Sequence, residues 1–148
     1  MGVMETFMAY ANEFEQTYAD DEWQRLEKYF ADDAVYEVQS EAYGCRLEGP
    51  AAIFAGIKKS LDGFDRRMDT RKIEVLAPPT IEGDSLEIPW AVSYTLGDAP
   101  PIRVEASSKG TVENGRITYL ADTYALDEEK KLLAWVEQHG PDLTLAYV

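Results

Sequence analysis

The chain contains one cysteine, Cys45, and one histidine, His139. A lone cysteine excludes an intrachain disulfide. A lone histidine leaves no basis for a metal cluster or a Ser-His-Asp set, and Cys45, with only Arg46 as a basic neighbour, is a poor nucleophile. No Gly-rich phosphate loop is present. No apolar run approaches the roughly 18 residues of a membrane span. Met1 to Phe14 has neither the basic region nor the continuous apolar stretch of a secretory signal, so a cytoplasmic protein is expected. Basic residues are scarce, 14 against 28 acidic ones, for a net charge of −14. Such a surface repels phosphate backbones and anionic headgroups, which excludes nucleic acid and membrane as partners. The stretch Met1-Gly2-Val3-Met4-Glu5-Thr6 matches the short myristoylation pattern, but no basic patch accompanies it. Repeats, low-complexity tracts and linkers are also lacking.

What remains is 148 residues with enough apolar content for one core. The expectation is one continuous domain, 1–148, with residues 140–148 as a tail. Met4, Phe7, Ala11, Phe14 and Tyr18 recur at spacings of three and four, which predicts a helix over about 3–18. Asp20 and Asp21 read as N-caps of a second short helix in which Trp23, Leu26 and Phe30 share a face. Ala34 to Val38 alternates as a strand, and a polar loop follows through Gly44. Gly49-Pro50 starts a third helix, with Ile53, Phe54, Ile57 and Leu61 giving it an apolar side.

The second half follows period two. Thr70 to Ala77 reads as a strand closed by Pro78-Pro79. Leu86, Ile88, Trp90, Val92, Tyr94 and Leu96 alternate with more polar residues, and Pro89 suggests a bulge or an edge. Ile102 to Val112 places Val104, Ala106, Ser108 and Gly110 on one side, and Arg103, Glu105, Ser107 and Lys109 on the other. Asn114-Gly115 is a two-residue hairpin signal, and Arg116 to Leu126 returns as the last strand. Asp127 reads as the cap of a closing helix carrying Leu132, Leu133, Trp135 and Val136, which ends at Gly140-Pro141, where His139 complements the helix dipole. In the tail, Leu143, Leu145 and Tyr147 alternate. That pattern suits an added edge strand, a seal over the mouth of the fold, a crossing to a partner, or a loosely held end. Strands segregated from helices imply an α+β fold, a curved, mostly antiparallel sheet wrapped around helices, with small residues leaving room for a pocket.

This arrangement, with Trp23 in the second helix and Phe30-Ala31-Asp32-Asp33-Ala34 before the first strand, resembles the nuclear transport factor 2-like superfamily. Its nearest branches are the SnoaL-like polyketide cyclases and limonene epoxide hydrolase. The run from Gly115 to Leu126 is similar to the last strand of the epoxide hydrolase. The resemblance spans about residues 3–138. It implies a cone-shaped α+β barrel with an extra C-terminal helix, an apolar cavity, and a homodimer formed through the sheet face. Asp122 matches the water-activating aspartate of the epoxide hydrolase and Tyr36 its tyrosine. Val38 falls where its asparagine would be, and Trp90 and Val92 where its arginine and second aspartate would be. The isomerase base and oxyanion tyrosine of the superfamily would fall at Val38 and Phe14. Asp122 also resembles the acid/base aspartate of the SnoaL-like cyclases.

Asp122 alternates with Leu120 and Tyr124, so it faces the interior if they do. Apolar residues lie on both faces of this strand, and the opposite choice would bring Tyr119, Ala121 and Thr123 inward. A carboxylate beneath Trp and Leu side chains is desolvated and tuned for acid/base work near neutral pH. The candidate catalytic residues are Asp122 and Tyr36. The candidate substrate-binding residues are Trp23, Val38, Phe54, Trp90, Val92, Tyr94 and Tyr124, each of which also suits plain core packing. Two functions follow. One is a cofactor-free isomerase, cyclase or dehydratase acting on a small hydrophobic cyclic substrate. The other is a non-catalytic small-molecule-binding or dimerisation module, of which phosphopeptide or nuclear-transport binding is a weaker variant.

Overall fold

The computed structural model describes residues 2–148, so Met1 of the acylation pattern lies outside the described residues. Helix α1 spans Val3–Asp20, α2 Pro50–Gly63 and α3 Leu126–His139. Two 3-10 helices cover Trp23–Tyr29 and Asp65–Arg67. The strands are β1 (Phe30–Gln39), β2 (Cys45–Glu48), β3 (Thr70–Val75), β4 (Thr80–Glu82), β5 (Ser85–Thr95), β6 (Ile102–Glu113) and β7 (Arg116–Thr123). They form one curved, open sheet in the order β2-β1-β7-β6-β5-β3, with β4 beside β3 along β5. The β1–β7 pair is parallel and every other pair antiparallel. The α+β fold expected from the sequence is therefore present, as a mixed sheet whose concave side is filled by helices. No helix among the described residues is long and apolar enough to cross a membrane.

Local rules account for several boundaries. Gly49 takes φ +83°, a left-handed geometry that favours glycine, and Pro50 occupies the first helical position, where its missing N–H is no loss. Asn114 and Gly115 both have positive φ, as a tight hairpin of this kind requires. Pro89 marks neither a bulge nor an edge of the β5–β6 ladder, which runs through it in register with Ser107. It sits where the neighbouring chain breaks between β3, which ends opposite Trp90, and β4, which begins opposite Glu87. Its missing N–H falls at that break, while its carbonyl accepts from the Leu76 amide at 3.0 Å.

Some expectations need correction. Asp20 closes α1 and Asp21 is its left-handed C-cap residue; neither caps the next helix, which begins after Glu22 without a side-chain cap. Their carboxylates bind Arg25, the Glu22 amide, the Trp23 indole and Arg66 instead. The polar loop ends at Gly44, as expected, but the residues after it, from Cys45 to Glu48, form a short strand, β2, that the sequence pattern does not show. Asp127 sits inside the first turn of α3, whose N-cap is Ala125. Leu133 points out to solvent, while Leu132 and Trp135 are buried.

Two apolar clusters make the core. The larger gathers Phe7, Tyr10, Leu26, Phe30, Tyr36, Ile53 and Leu120 under α1 and α2. The smaller gathers Phe64, Val92, Tyr94, Ile102, Val104, Leu132 and Trp135 beneath α3. Gly110 lets α1 dock, because a Cβ there would lie 2.2 Å from the Phe7 ring. Gly110→Ala is therefore expected to cost about 1–3 kcal/mol of stability by overpacking. Urea denaturation checks this, and an unchanged midpoint would show that Phe7 can move freely.

Candidate active site

Strand β7 lies between β1 and β6, and register places Asp122 beside Val38 on β1 and Ser108 on β6. Paired residues project to the same face, so Asp122 joins buried Val38 and Ser108 on the concave side. This settles the choice that periodicity left open. Tyr36 donates its hydroxyl to Asp122 Oδ2 at 2.6 Å, and Ser108 donates to Oδ1 at 2.5 Å. Trp90 Nε1 donates to Ser108 Oγ at 2.8 Å. That bond occupies an acceptor site of the serine and leaves its proton for the aspartate. Among the described residues, no cation bonds to Asp122. Burial raises its pKa above the ordinary carboxylate value, and the Ser108 and Tyr36 hydrogen bonds oppose the shift only in part. Burial, then the Asp122 charge, pushes Tyr36 well above the usual phenol value.

More tyrosines surround this pair. The Trp90 and Tyr124 rings meet edge to face at 6.2 Å, and the Tyr36 and Tyr147 rings lie 6.0 Å apart. Tyr124 is raised well above its usual pKa by burial, then by Tyr147, Asp122, Asp65 and Tyr43. Tyr43 has an enclosed hydroxyl with no hydrogen-bond partner among the described residues. Burial and the Glu129 charge push its pKa up to about 12. Glu129, in the first turn of α3, is buried and binds the Ser40 hydroxyl and the Glu41 and Ala42 amides. It thereby ties the loop carrying Tyr43 to α3. Asp122, Trp90, Tyr124, Tyr147 and Tyr43 are each partly buried residues.

A second carboxylate lies in the same interior. Asp65 accepts from Tyr94 Oη at 2.8 Å and from Arg71 Nε at 3.0 Å. Arg71 also holds Glu15 at 3.1 Å and stacks 4.4 Å above the Tyr18 ring. Burial raises the Asp65 pKa despite the guanidinium and phenol beside it. The charges of Asp65 and Asp122 both raise the pKa of Tyr124 and Tyr147.

The structure thus brings Asp122, Tyr36, Val38, Trp90 and Tyr124 together and adds Ser108, Tyr147 and Tyr43, which were not among the sequence candidates. Tyr94 belongs with Asp65, and Val92 lies beside it in the smaller cluster. Trp23 and Phe54 stand apart from the bonds to Asp122, in an aromatic stack with Phe14 and Phe30 at 5.4–6.3 Å. The available signal for Ser108 was its place among small residues on an inward face, and for Tyr147 its alternation with Leu143 and Leu145. Arg71 and Asp65 carried none, because a charged pair so close in sequence reads as surface.

Two surface depressions, of about 760 and 280 Å³, lie around Gly2, Asp84 and Glu113, and around Thr80, Glu87 and Lys109. Neither includes Asp122. Among the described residues no group of three His, Cys, Asp or Glu side chains could hold a metal ion.

A family model described as the SnoaL-like domain matches residues 11–120. No curated protein matches the chain. Solved structures of similar fold include an NTF2-like protein from Anabaena variabilis, with TM-score 0.66, 16% identity, and 86% of this chain and 92% of that one covered. An LEH-like epoxide hydrolase of M. tuberculosis matches with TM-score 0.61 and 15% identity over 90% of this chain and 93% of that one. A candidate polyketide cyclase from Sinorhizobium meliloti matches with TM-score 0.56 and 24% identity over 77% and 93%.

Proposed function

The chain belongs to the SnoaL-like domain family of the nuclear transport factor 2-like fold, and on that premise we propose that it is a cofactor-independent enzyme that moves a proton within a small, hydrophobic, cyclic carbonyl compound. The observation that carries this reading is Asp122, a carboxylate with no cationic partner among the described residues, raised in pKa by burial and fixed by Tyr36 and Ser108. A carboxylate so placed takes a proton from carbon next to a carbonyl, because the weakly solvated anion is a stronger base than a free one. A phenol from Tyr124 or Tyr147 donates to the enolate oxygen that forms. The acid form of Asp122 then returns the proton to a different carbon, giving isomerisation; to the alkoxide formed when the enolate carbon bonds to a second carbonyl carbon, giving ring closure; or to a hydroxyl whose C–O bond breaks and which leaves as water, giving dehydration. Trp90 and Val38 supply apolar wall.

Cyclohex-3-enone in deuterated buffer tests this. The native protein is expected to catalyse deuterium uptake at the ring carbons, read by NMR, and Asp122→Asn to leave only the background rate. Equal rates for the two would remove the proposal.

A second reading, a binding module without catalysis, is favoured by Val38, Trp90 and Val92 standing where related enzymes carry polar groups. A small molecule retained in native mass spectrometry of both native protein and Asp122→Asn, with no exchange activity, would select it. Under either reading the outer sheet face is the proposed homodimer contact. It is a wet surface on which Arg103 binds Glu74 and Glu105, and Ser107 binds Glu87. A monomeric mass in light scattering would exclude that contact.

A further inference from the structure

The segment after α3 has no regular structure, yet it is held at several points along its length. Arg67 Nη1 donates to the Asp142 carbonyl at 2.7 Å, and the Thr144 amide donates to the Gly63 carbonyl at 3.0 Å. Leu143 and Leu145 pack against the smaller apolar cluster, and Tyr147 against the larger one. Two glycines of α2 make room for its backbone. A Cβ on Gly63 would meet the Thr144 carbonyl oxygen at 2.6 Å, and one on Gly56 would meet the Tyr147 carbonyl oxygen at 3.0 Å. Neither glycine has a positive φ, so the requirement at these positions is space. The expectation of an added edge strand is therefore not met; the segment runs along α2 and ends against the site.

We propose that residues 141–148 form a strap that is one wall of the Asp122 site, that Tyr147 on this strap contacts the substrate beside Tyr36, and that the strap lifts to admit it. The proposal rests on the proton-transfer reading for its substrate, but the strap can be tested without any turnover. Its anchors are isolated hydrogen bonds and a few side chains, whereas the concave sheet beneath is tied by continuous ladders, so the strap opens first. Tyr147 brings a phenol to within ring contact of Tyr36, and so gives the site a hydroxyl that no strand supplies.

Cys45 provides the reporter. It pairs with Val38 on β1, and it packs against the same cluster as Tyr147. Leu47, two residues along on the same face of β2, shares the space over Gly56 with the Tyr147 carbonyl. The experiment measures the rate of Cys45 alkylation by iodoacetamide, alongside hydrogen exchange of residues 143–147, in native protein, in Gly63→Ala, and in a Leu143→Asp, Leu145→Asp double variant. Gly63→Ala introduces a better helix former and touches no residue bonded to Asp122. The strap amides are expected to exchange faster in both variants, and Cys45 to react about tenfold faster, with the melting transition retained. Faster exchange of the strap with an unchanged Cys45 rate would overturn the proposal. A strap that stays protected in both variants would overturn it too, because the contacts named here would then not be what holds it. Neither result depends on whether cyclohex-3-enone is a substrate.

Discussion

Asp122→Asn is expected to lower proton-transfer activity by about 10²–10⁴-fold and to raise the melting temperature at neutral pH. The two effects share one cause. The native state holds Asp122 with its pKa above the ordinary value of about 3.9. Between that unfolded value and the raised folded one, the native state binds more protons than the unfolded state. Stability therefore falls as pH rises through this window, and the full penalty persists above the folded pKa. Asparagine has nearly the same shape, keeps an acceptor for the Tyr36 hydroxyl, and carries no charge to desolvate. Its advantage should vanish below about pH 4, where the native aspartate is neutral too. Melting curves of both proteins across this range check the claim. A variant less stable than the native chain at pH 7 would mean that the Ser108 and Tyr36 hydrogen bonds outweigh the cost of burial.

Arg71→Met should act in the opposite sense and more strongly. Arg71 and Asp65 are each only 12% exposed, so Coulomb attraction between them is weakly screened. Removing the guanidinium leaves an aspartate buried against Tyr94 without its cation. Breaking a buried pair from one side costs about 3–5 kcal/mol. The Asp65 pKa, already raised by burial, rises further. The loss should therefore be full at neutral pH and shrink as the solution is acidified toward the unfolded carboxylate value. Denaturant unfolding at two pH values reads this, and adding Asp65→Asn should restore much of the loss. A pH-independent deficit would instead assign the effect to lost packing on the Tyr18 ring.

These two carboxylates differ in how far the sequence revealed them. Asp122 could be singled out because it alternates with Leu120 and Tyr124, but its face could not be fixed, since Ala121 on the other side is also buried, at 1% exposure. Only the register with Val38 and Ser108 decides it. Features governed by local rules were legible: the Gly49-Pro50 helix start, the Asn114-Gly115 hairpin, and the alternation of β5. The four-residue β2 and the three-residue β4 were not, because strands so short have too few positions to show a period. Pro89 was misread because its environment depends on where a neighbouring strand breaks. Asp65, Arg71 and Glu129 were hidden for a related reason. Each is a charged residue whose burial is compensated by partners far along the chain or on another element. The tail offered several placements, and two glycines in a helix, with nothing in the sequence to link them to it, decided among these.

The central claim is that Asp122 is a desolvated carboxylate poised to exchange protons. Titration of the side-chain carboxyl carbons by ¹³C NMR tests it most directly, with Asp122→Asn identifying the signal that disappears. The expected midpoint for Asp122 lies above the ordinary aspartate value of about 3.9. A midpoint at or below that value would show the carboxylate to be solvated or stabilised as an ordinary anion, and would contradict the acid/base role.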